Sequence, residues 1–532
     1  MSGGTDGREA TRRAPTLVIA TLAMCGTVVS IQGTVVLPLL PEFPLLLETS
    51  FDDASWLVTA ALLSGAIAMP IVSRLADMFG KKSLILVTLA LLVAGSVVGA
   101  LGSSVAVLII ARTLQGISMA LVPIGIAAMR DELPTERVPL GVALMGGTLA
   151  IGAGAGLPLA GVVMRYLDWH AIFWVTGVLG AVLLVAVILV LRESPIRTGG
   201  SFDFLGAVLL SAALTALFLT LTKGGTWGWT SVPTLSLTAA GIALMGLWAP
   251  IEWRARQPLV DLRVAMRPTV ALLNVSSILA GVALFINVLV TTHLLQLPTA
   301  TGFGLGLDVL ETGLWMAPSA LAFGALTPVS AWLTRRFGAH SALFMGAVIM
   351  AASYIARVYL SAHLWQIVLG SVMVSVGISV TYAAIPTLLM RAVPLAETAS
   401  ANGLNTLLRS LGSTVASAGI AAGTSLSVVH VGSGVYPSLH VLLASFAICA
   451  ALALGMALLA IPLFRLRHAD ERTEHHLPAA DVANHGAMPV IAANVPAAAN
   501  RVRTTGDPGL AHVQAGRQVP LRHHGGSGEC SE

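Results

Sequence analysis

Runs of about twenty or more apolar residues recur from Leu17 to Phe464 with only short polar breaks, and they constrain the fold more than any other feature of the chain. A helix rises about 1.5 Å per residue, so some twenty residues cross the ~30 Å hydrocarbon layer of a bilayer. Backbone groups in lipid must be satisfied within a helix or a closed barrel, and the ten-residue alternation of barrel strands is absent, which leaves helices. Composition agrees: with 56% hydrophobic and 10% charged residues among 532, there is too little polar surface to coat a soluble globule.

The breaks divide the chain into fourteen expected spans. Six run Leu17 to Leu40, Trp56 to Val72, Leu84 to Leu101, Val105 to Met129, Leu140 to Val163 and Ala171 to Leu191. Two follow, Leu205 to Leu221 and Val232 to Ile251. Six more run Val270 to Leu294, Gly313 to Leu333, Ala342 to Leu360, Leu364 to Met390, Leu404 to Val429 and Leu439 to Phe464. This gives a cytoplasmic N-terminus (1–15), an N-terminal six-helix half (16–192), two extra central helices (204–252), a C-terminal six-helix half (268–464) and a disordered cytoplasmic tail (465–532), rich in Ala, His, Gly and Pro.

Lys and Arg concentrate in short cytoplasmic loops, and an even span count with the N-terminus inside satisfies this rule at every inner loop. Arg74, Lys81 and Lys82 fall there, as do Arg130 and Arg137, Arg254 to Arg267, Arg335 and Arg336, and Arg391. The outer side holds only Arg165, Lys223 and Arg357 against acids such as Glu48, Asp52, Asp53, Asp308 and Glu311. Both termini are therefore expected in the cytoplasm, in a multi-pass protein of the cell membrane. Topology alone accounts for the net charge of +4, so no nucleic-acid partner is implied. The basic start before Leu17 is like that of a signal peptide, but the run continues to Leu40 without a clear cleavage site and reads as a retained span. Cys25, Cys449 and Cys530 have neither disulfide nor metal-ligand spacing, and the His475-His476 and His523-His524 pairs lack a frame for a metal. No metal and no cofactor are expected.

The turn Ser73-Arg74-Leu75-Ala76-Asp77-Met78-Phe79-Gly80-Lys81-Lys82 returns at an offset of 258, where Pro70, Leu75, Phe79, Gly80 and Ser83 meet Pro328, Leu333, Phe337, Gly338 and Ser341. Asp77 meets Arg335. Gly116-Ile117-Ser118 with Met129-Arg130 matches Gly377-Ile378-Ser379 with Met390-Arg391 at an offset of 261. The two blocks imply parallel duplicated halves, with the central pair uncopied.

The opening turn resembles the Gly-x-Leu-Ala-Asp-Arg-x-Gly-Arg-Lys loop of the major facilitator superfamily, matching at Leu75, Ala76, Asp77, Gly80 and Lys82. Ser73 and Met78 depart from it. Leu108, Arg112, Gln115 and Gly116 resemble that superfamily's fourth-span Leu-x-x-x-Arg-x-x-Gln-Gly. Span 5 resembles the antiporter motif Gly-x-x-x-Gly-Pro-x-x-Gly-Gly at Gly152, Gly156 and Gly161, with Leu157 at the proline position, Pro158 one place late and Ala160 replacing a glycine. Asn402-Gly403-Leu404-Asn405 leading to Arg409 and Gly412 is similar to a stretch of the fourteen-span drug:proton antiporter branch, and so is Asp168-Trp169-His170-Ala171-Ile172-Phe173-Trp174.

The resemblance covers Leu17 to Phe464 and implies an all-α polytopic protein of the major facilitator fold. It further implies a gating loop at Asp77, Gly80, Lys81 and Lys82, with Asp131 as a third charged member, and a proton-coupling role for Arg112 with Gln115 beside it. Arg409 follows as a second charge near the path, and Gly152, Gly156, Pro158 and Gly161 as a helix-bending motif. The plain counterparts are a topogenic cation cluster for the loop and a carbonyl-satisfied structural arginine for Arg112. The branch's span-1 acid is missing from Ser30 to Pro38; the nearest carboxylate is Glu42, which is either the titrating group or an interfacial acid at a helix end. With no other mid-span acid, a largely neutral cavity offering Gln32, Gln115, Asn274, Asn287 and His293 argues for a lipophilic small-molecule substrate.

Gly80-Lys81-Lys82-Ser83 lacks the earlier glycine and the Ser or Thr of a P-loop, so transport would run on an ion gradient, with protons the expected source of energy. No nucleophile or metal constellation points to an enzyme. The expected protein is a monomeric secondary transporter exporting lipophilic drugs or toxic compounds in exchange for protons. A dedicated exporter of one metabolite or lipid and a non-transporting receptor or scaffold are the alternatives.

Overall fold

The computed structural model describes residues 15–36, 39–40, 43–194, 197–431 and 434–475. One compact unit comprises Met1–Arg472; of the second, Thr473–Glu532, only the end of a helix is described. The long helices are α1 Pro15–Thr34, α2 Phe51–Phe79, α3 Lys81–Leu101, α4 Val105–Glu132, α5 Val138–Tyr166, α6 Ala171–Val190, α7 Phe204–Trp227, α8 Val232–Arg254 and α9 Pro268–Gln296. They continue with α10 in two segments, Val309–Ala325 and Thr327–Phe337, then α11 Ala339–Tyr359, α12 Leu364–Ala392, α13 Thr398–Leu426 and α14 Leu439–His475. Among the described residues, twelve helices are long and apolar enough to cross a membrane. Helices α5 and α13, each of 29 residues, are not among the twelve and pack between them.

Local chemistry sets the breaks. Gly80 (φ 114°) and Gly338 (φ 84°) take backbone conformations that L side chains avoid, which turns α2 into α3 and α10 into α11. The two following helices are each 21 residues long, so the repeated turn produces the same supersecondary unit twice. Polar caps fix other starts: Ser50 accepts the Asp53 N–H, Asp203 the Gly206 N–H, and Asp308 with Glu311 forms a capping box on α10. A two-stranded antiparallel hairpin, Val428–Val431 with Gly434–Pro437, joins α13 to α14.

Packing repeats as well. α1 lies on α5 as α9 lies on α13, and α3 packs on α4 as α11 packs on α12. One core, from Val270 to Ala460, belongs wholly to the last six helices, and the core around Leu22, Leu89, Ile124 and Val187 belongs chiefly to the first six. The central pair α7–α8 packs on α2 and α13 through Leu210, Leu214, Phe218, Met69 and Leu407, covering a seam between the first and last six helices. α8 is the least buried of the twelve.

Lys223 and Arg357, read from the sequence as outer-side cations, are both buried at helix ends, where each finds polar partners. And α14 continues ten residues beyond Arg465 to His475, since Arg465 to His475 contains no glycine or proline to stop a helix.

Candidate functional site

The Gly80 turn lies at one end of the bundle and is built from four converging segments. Asp77, near the end of α2 and 1% exposed, accepts the Ala399 N–H on Oδ1 (3.1 Å) and both the Ser400 N–H (2.7 Å) and hydroxyl (2.6 Å) on Oδ2. These are first-turn donors of α13, which no intrahelical carbonyl can satisfy, and the helix dipole there favours an anion. A helix of the last six is thereby held by a residue of the first six. Arg130 makes a second crossing, its Nη1 donating to Thr398 Oγ1 (2.8 Å) and to the Val393 carbonyl (3.4 Å). Ser73, where the superfamily loop has glycine, faces Gly403 of α13; a Cβ at Gly403 would lie 2.5 Å from Ser73 Oγ. The glycine needed for close approach stands on the opposite helix.

Lys81 pairs with Asp131 (2.5 Å), both nearly fully buried, which brings the third charged member to the loop and ties α3 to α4. Lys82 donates to the Ile188 and Leu191 carbonyls (2.9 and 2.7 Å), capping the C-terminus of α6. Sequence reasoning missed the segment after α6. Glu193 accepts the Ser83 N–H and hydroxyl, Ser194 donates to Asp131 Oδ2, and the Thr198 N–H donates to the Asp77 carbonyl. The signal was an acid and two hydroxyls in a connection otherwise read as a linker. Arg335, the counterpart of Asp77, is exposed.

Arg112, 1% exposed, donates from Nε to the Leu57 carbonyl (3.1 Å) and from Nη1 to the Gln32 carbonyl (2.8 Å), Gln32 Oε1 (3.4 Å) and Gln115 Oε1 (2.9 Å). Gln115 in turn donates to Ser96 Oγ. The guanidinium therefore joins α1, α2, α3 and α4 through neutral acceptors, with no carboxylate among the described residues that bond it. Glu42 lies outside the described residues.

Gly152 and Gly156 seat α5 on α1: a Cβ at either would stand 2.1 Å from Ser30 Cβ or Thr34 Oγ1. Gly161 meets nothing within 4 Å, so it is not part of that contact. The Pro158 side chain lies outside the described residues. Arg409, on α13, stacks its guanidinium over the Tyr382 ring (4.7 Å) and makes one long bond, to Thr406 Oγ1 (3.4 Å).

The amides expected to line a neutral cavity are mostly engaged within the packing: Gln32 and Gln115 with Arg112, Asn274 with Asn405, and Asn287 with Arg357, while His293 bonds its own helix at Leu289. Arg357 is the principal buried group not recognised in the sequence. It is 0% exposed on α11, donates to Asn287 Oδ1 (2.5 Å) and Thr291 Oγ1 (2.8 Å), and lies over the Phe446 ring (4.0 Å). The sequence reading counted it only as an outer-side cation at the end of the span Ala342 to Leu360. Tyr354, one turn earlier and equally buried, was the available sign that this face points inward.

The model of the Major Facilitator Superfamily matches residues 22–417. The tetracenomycin C resistance and export protein of Streptomyces glaucescens is 27% identical over 365 residues, 67% of this chain and 66% of that protein. The multidrug resistance protein Stp of Mycobacterium tuberculosis is 26% identical over 379 residues, 71% of this chain and 70% of that protein. The chain thus spans about two thirds of the length of these relatives. Among solved structures, the human organic anion transporter MFSD10 aligns with a TM-score of 0.60 at 16% identity, over 84% of this chain and all of that one. The proton:xylose symporter XylE aligns with a TM-score of 0.60 at 13% identity, over 84% and 94%. At those identities the likeness is one of fold. Matched over most of its length and sharing that helical fold, the chain belongs to the Major Facilitator Superfamily and is a multi-pass membrane transporter, not an enzyme.

Proposed function

We propose that this protein is a secondary active exporter of lipophilic toxic compounds, driven by inward proton flow and working by alternating access. The observation that carries the reading is Asp77 on the N-terminus of α13. A carboxylate holding a helix end across the seam, beside Arg130 on Thr398, is a polar closure between two largely separate apolar cores. In the same reading α5 and α13 are crossing helices, giving fourteen spans. Their 29-residue lengths and their packing against α1 and α9 support this. The basic turns at Gly80 and Gly338 then face the cytoplasm with both termini, in the cell membrane, and the protein acts as a monomer. Arg112 and Gln115 would couple protons, with Glu42 as the titrating acid.

The names of the relatives, one a resistance and export protein for a single compound and one a multidrug resistance protein, support export and leave its breadth to experiment. The test is dye efflux from cells expressing the protein, with and without an imposed pH gradient. Efflux that follows the gradient and falls at least tenfold in Arg112→Ala is expected. Efflux indifferent to the gradient would remove proton coupling, and pH-driven efflux unchanged in Glu42→Gln would remove that acid from the mechanism. Protection of drug-sensitive cells against many compounds indicates a multidrug pump, and protection against one a dedicated exporter.

A further inference from the structure

Four buried arginines lie within the helices described above; Arg74 sits at the Gly80 end near Glu397, and the other three, deeper in the bundle, differ in how well their charge is satisfied. A guanidinium has five N–H donors and is always charged. Arg112 has four hydrogen bonds and 1% exposure; Arg357 has two, to Asn287 and Thr291, and 0%. Arg409 has one acceptor, a hydroxyl on its own helix 3.4 Å away, and keeps 9% exposure. It makes no ion pair among the described residues. A cation at such depth is expensive without an anion or a full set of acceptors, and it marks a place where one is to be supplied.

Its position suits a ligand site. Arg409 is eleven residues into α13 and Tyr382 ten residues from the end of α12, so each lies about 15 Å from the Gly80 end of the bundle, near the middle of a ~30 Å layer. Tyr382 stands on the seam between the first and last six helices: a Cβ at Gly146 of α5 would be 3.5 Å from Tyr382 Cβ. Phe323 of α10 meets the Tyr382 ring edge-on at 5.6 Å, forming a buried aromatic pair beside the cation. The acids described on the helices, Asp53, Asp77, Asp131, Glu132, Glu252 and Glu311, all lie within a few residues of a helix terminus, so none offers a counter-charge for a cationic compound at that depth.

We propose that Arg409 and Tyr382 form the receptor for an anionic group on the cargo, so that the exported compounds are lipophilic acids: an aromatic body carrying a carboxylate or an ionised phenol. The acid takes the guanidinium donors that the protein leaves unused, in the bidentate geometry Arg provides, and the aromatic body packs against Tyr382 and Phe323. This rests on the exporter reading for its cargo but is tested by binding alone.

The experiment uses the full chain in lipid nanodiscs and three probes with one ring system: 1-pyrenebutyrate, its methyl ester, and 1-pyrenemethylammonium. Tryptophan-to-pyrene energy transfer is read after subtracting protein-free nanodiscs. The expected result is that the acid binds at least tenfold more tightly than the ester and the cation. Arg409→Gln should weaken the acid at least tenfold while changing the ester less than twofold, which also shows that the variant is folded. Arg409→Lys should recover part of the preference, because it keeps the charge but loses the planar fork. An acid that binds no better than the ester, a preference for the cation, no binding of any probe, or equal losses for all three in Arg409→Gln would overturn the proposal. Because no gradient is applied, failure of proton-driven efflux would not produce these results. Cells that expel only cationic drugs would refute the proposal and leave the exporter reading standing.

Discussion

Asp77 works with both its backbone and its side chain: the carbonyl accepts the Thr198 N–H, and the carboxylate holds the first turn of α13. An asparagine there keeps one acceptor oxygen but loses the charge that the helix end favours, a term of about 0.3–1 kcal/mol at an exposed site and up to about 2 where partly buried. Asp77→Asn is therefore expected to cut transport severalfold at normal expression, whereas Arg335→Ala, at an exposed position, should transport like the parent. Equal damage from both, measured by initial efflux rate, would mean that the turn is only structural. Asp77 was legible as the acid of the repeated turn, but its partner was not, because α13 starts more than three hundred residues later and nothing local in Thr398-Ala399-Ser400 announces an anion. The burial of Arg357 was missed for a similar reason: a cation two residues from a helix end is ambiguous until the amide at Asn287 is known to face it.

Among the helices, the span-5 glycines separate contact from composition. Gly156 touches α1 and Gly161 touches nothing, although both matched the same motif. Gly156→Ala should lower the melting temperature in detergent by several degrees and reduce transport, while Gly161→Ala should leave both unchanged; the reverse order would refute this α1–α5 packing. At the Gly80 end, a small cleft of about 30 Å³ lined by Arg74, Asp261, Asn274 and Glu397 lies where α2, α13 and the connection from α8 to α9 meet. Burial, and then the nearby Asp261, push the Glu397 carboxyl above its usual range, with Arg74 and Arg267 pulling it partly back. A raised acid stabilises the fold below its unfolded value, about 4.3, and that contribution is lost as pH rises through the raised folded value. The melting temperature should therefore fall across that window in the parent more than in Glu397→Gln, and parallel curves would exclude a contribution from this carboxylate.

For the molecule as a whole, alternating access requires the first and last six helices to separate along the seam. A Cβ at Gly147 of α5 would lie 3.7 Å from Thr327 Cβ at the break in α10, within the ~3.5–4.5 Å that a disulfide spans. With Cys25, Cys449 and Cys530 replaced, the pair Gly147→Cys and Thr327→Cys should cross-link on oxidation, stop transport and recover with reductant. Full cross-linking with undiminished transport would show that the seam does not open there. The central pair bears on the same motion, since α7 packs on both α2 and α13; Lys223 binds it to α2 by donating to Ser55 Oγ (2.6 Å) and lying over the Trp56 ring (5.1 Å).

The sequence by itself determined the helical membrane class, the order of the long helices, the duplicated turn and the family, because hydropathy, glycine conformation and motif spacing act over one or two helical turns. It also marked Asp77, Lys81, Asp131, Arg112 and Arg409 as charges in need of partners. Only the tertiary structure decided which partners they have: α13 for Asp77, two amides and two carbonyls for Arg112, an aromatic face for Arg409. The physical reason is that a buried charge states a requirement locally, while the group that meets it comes from another helix whose position is fixed by close packing across the whole bundle.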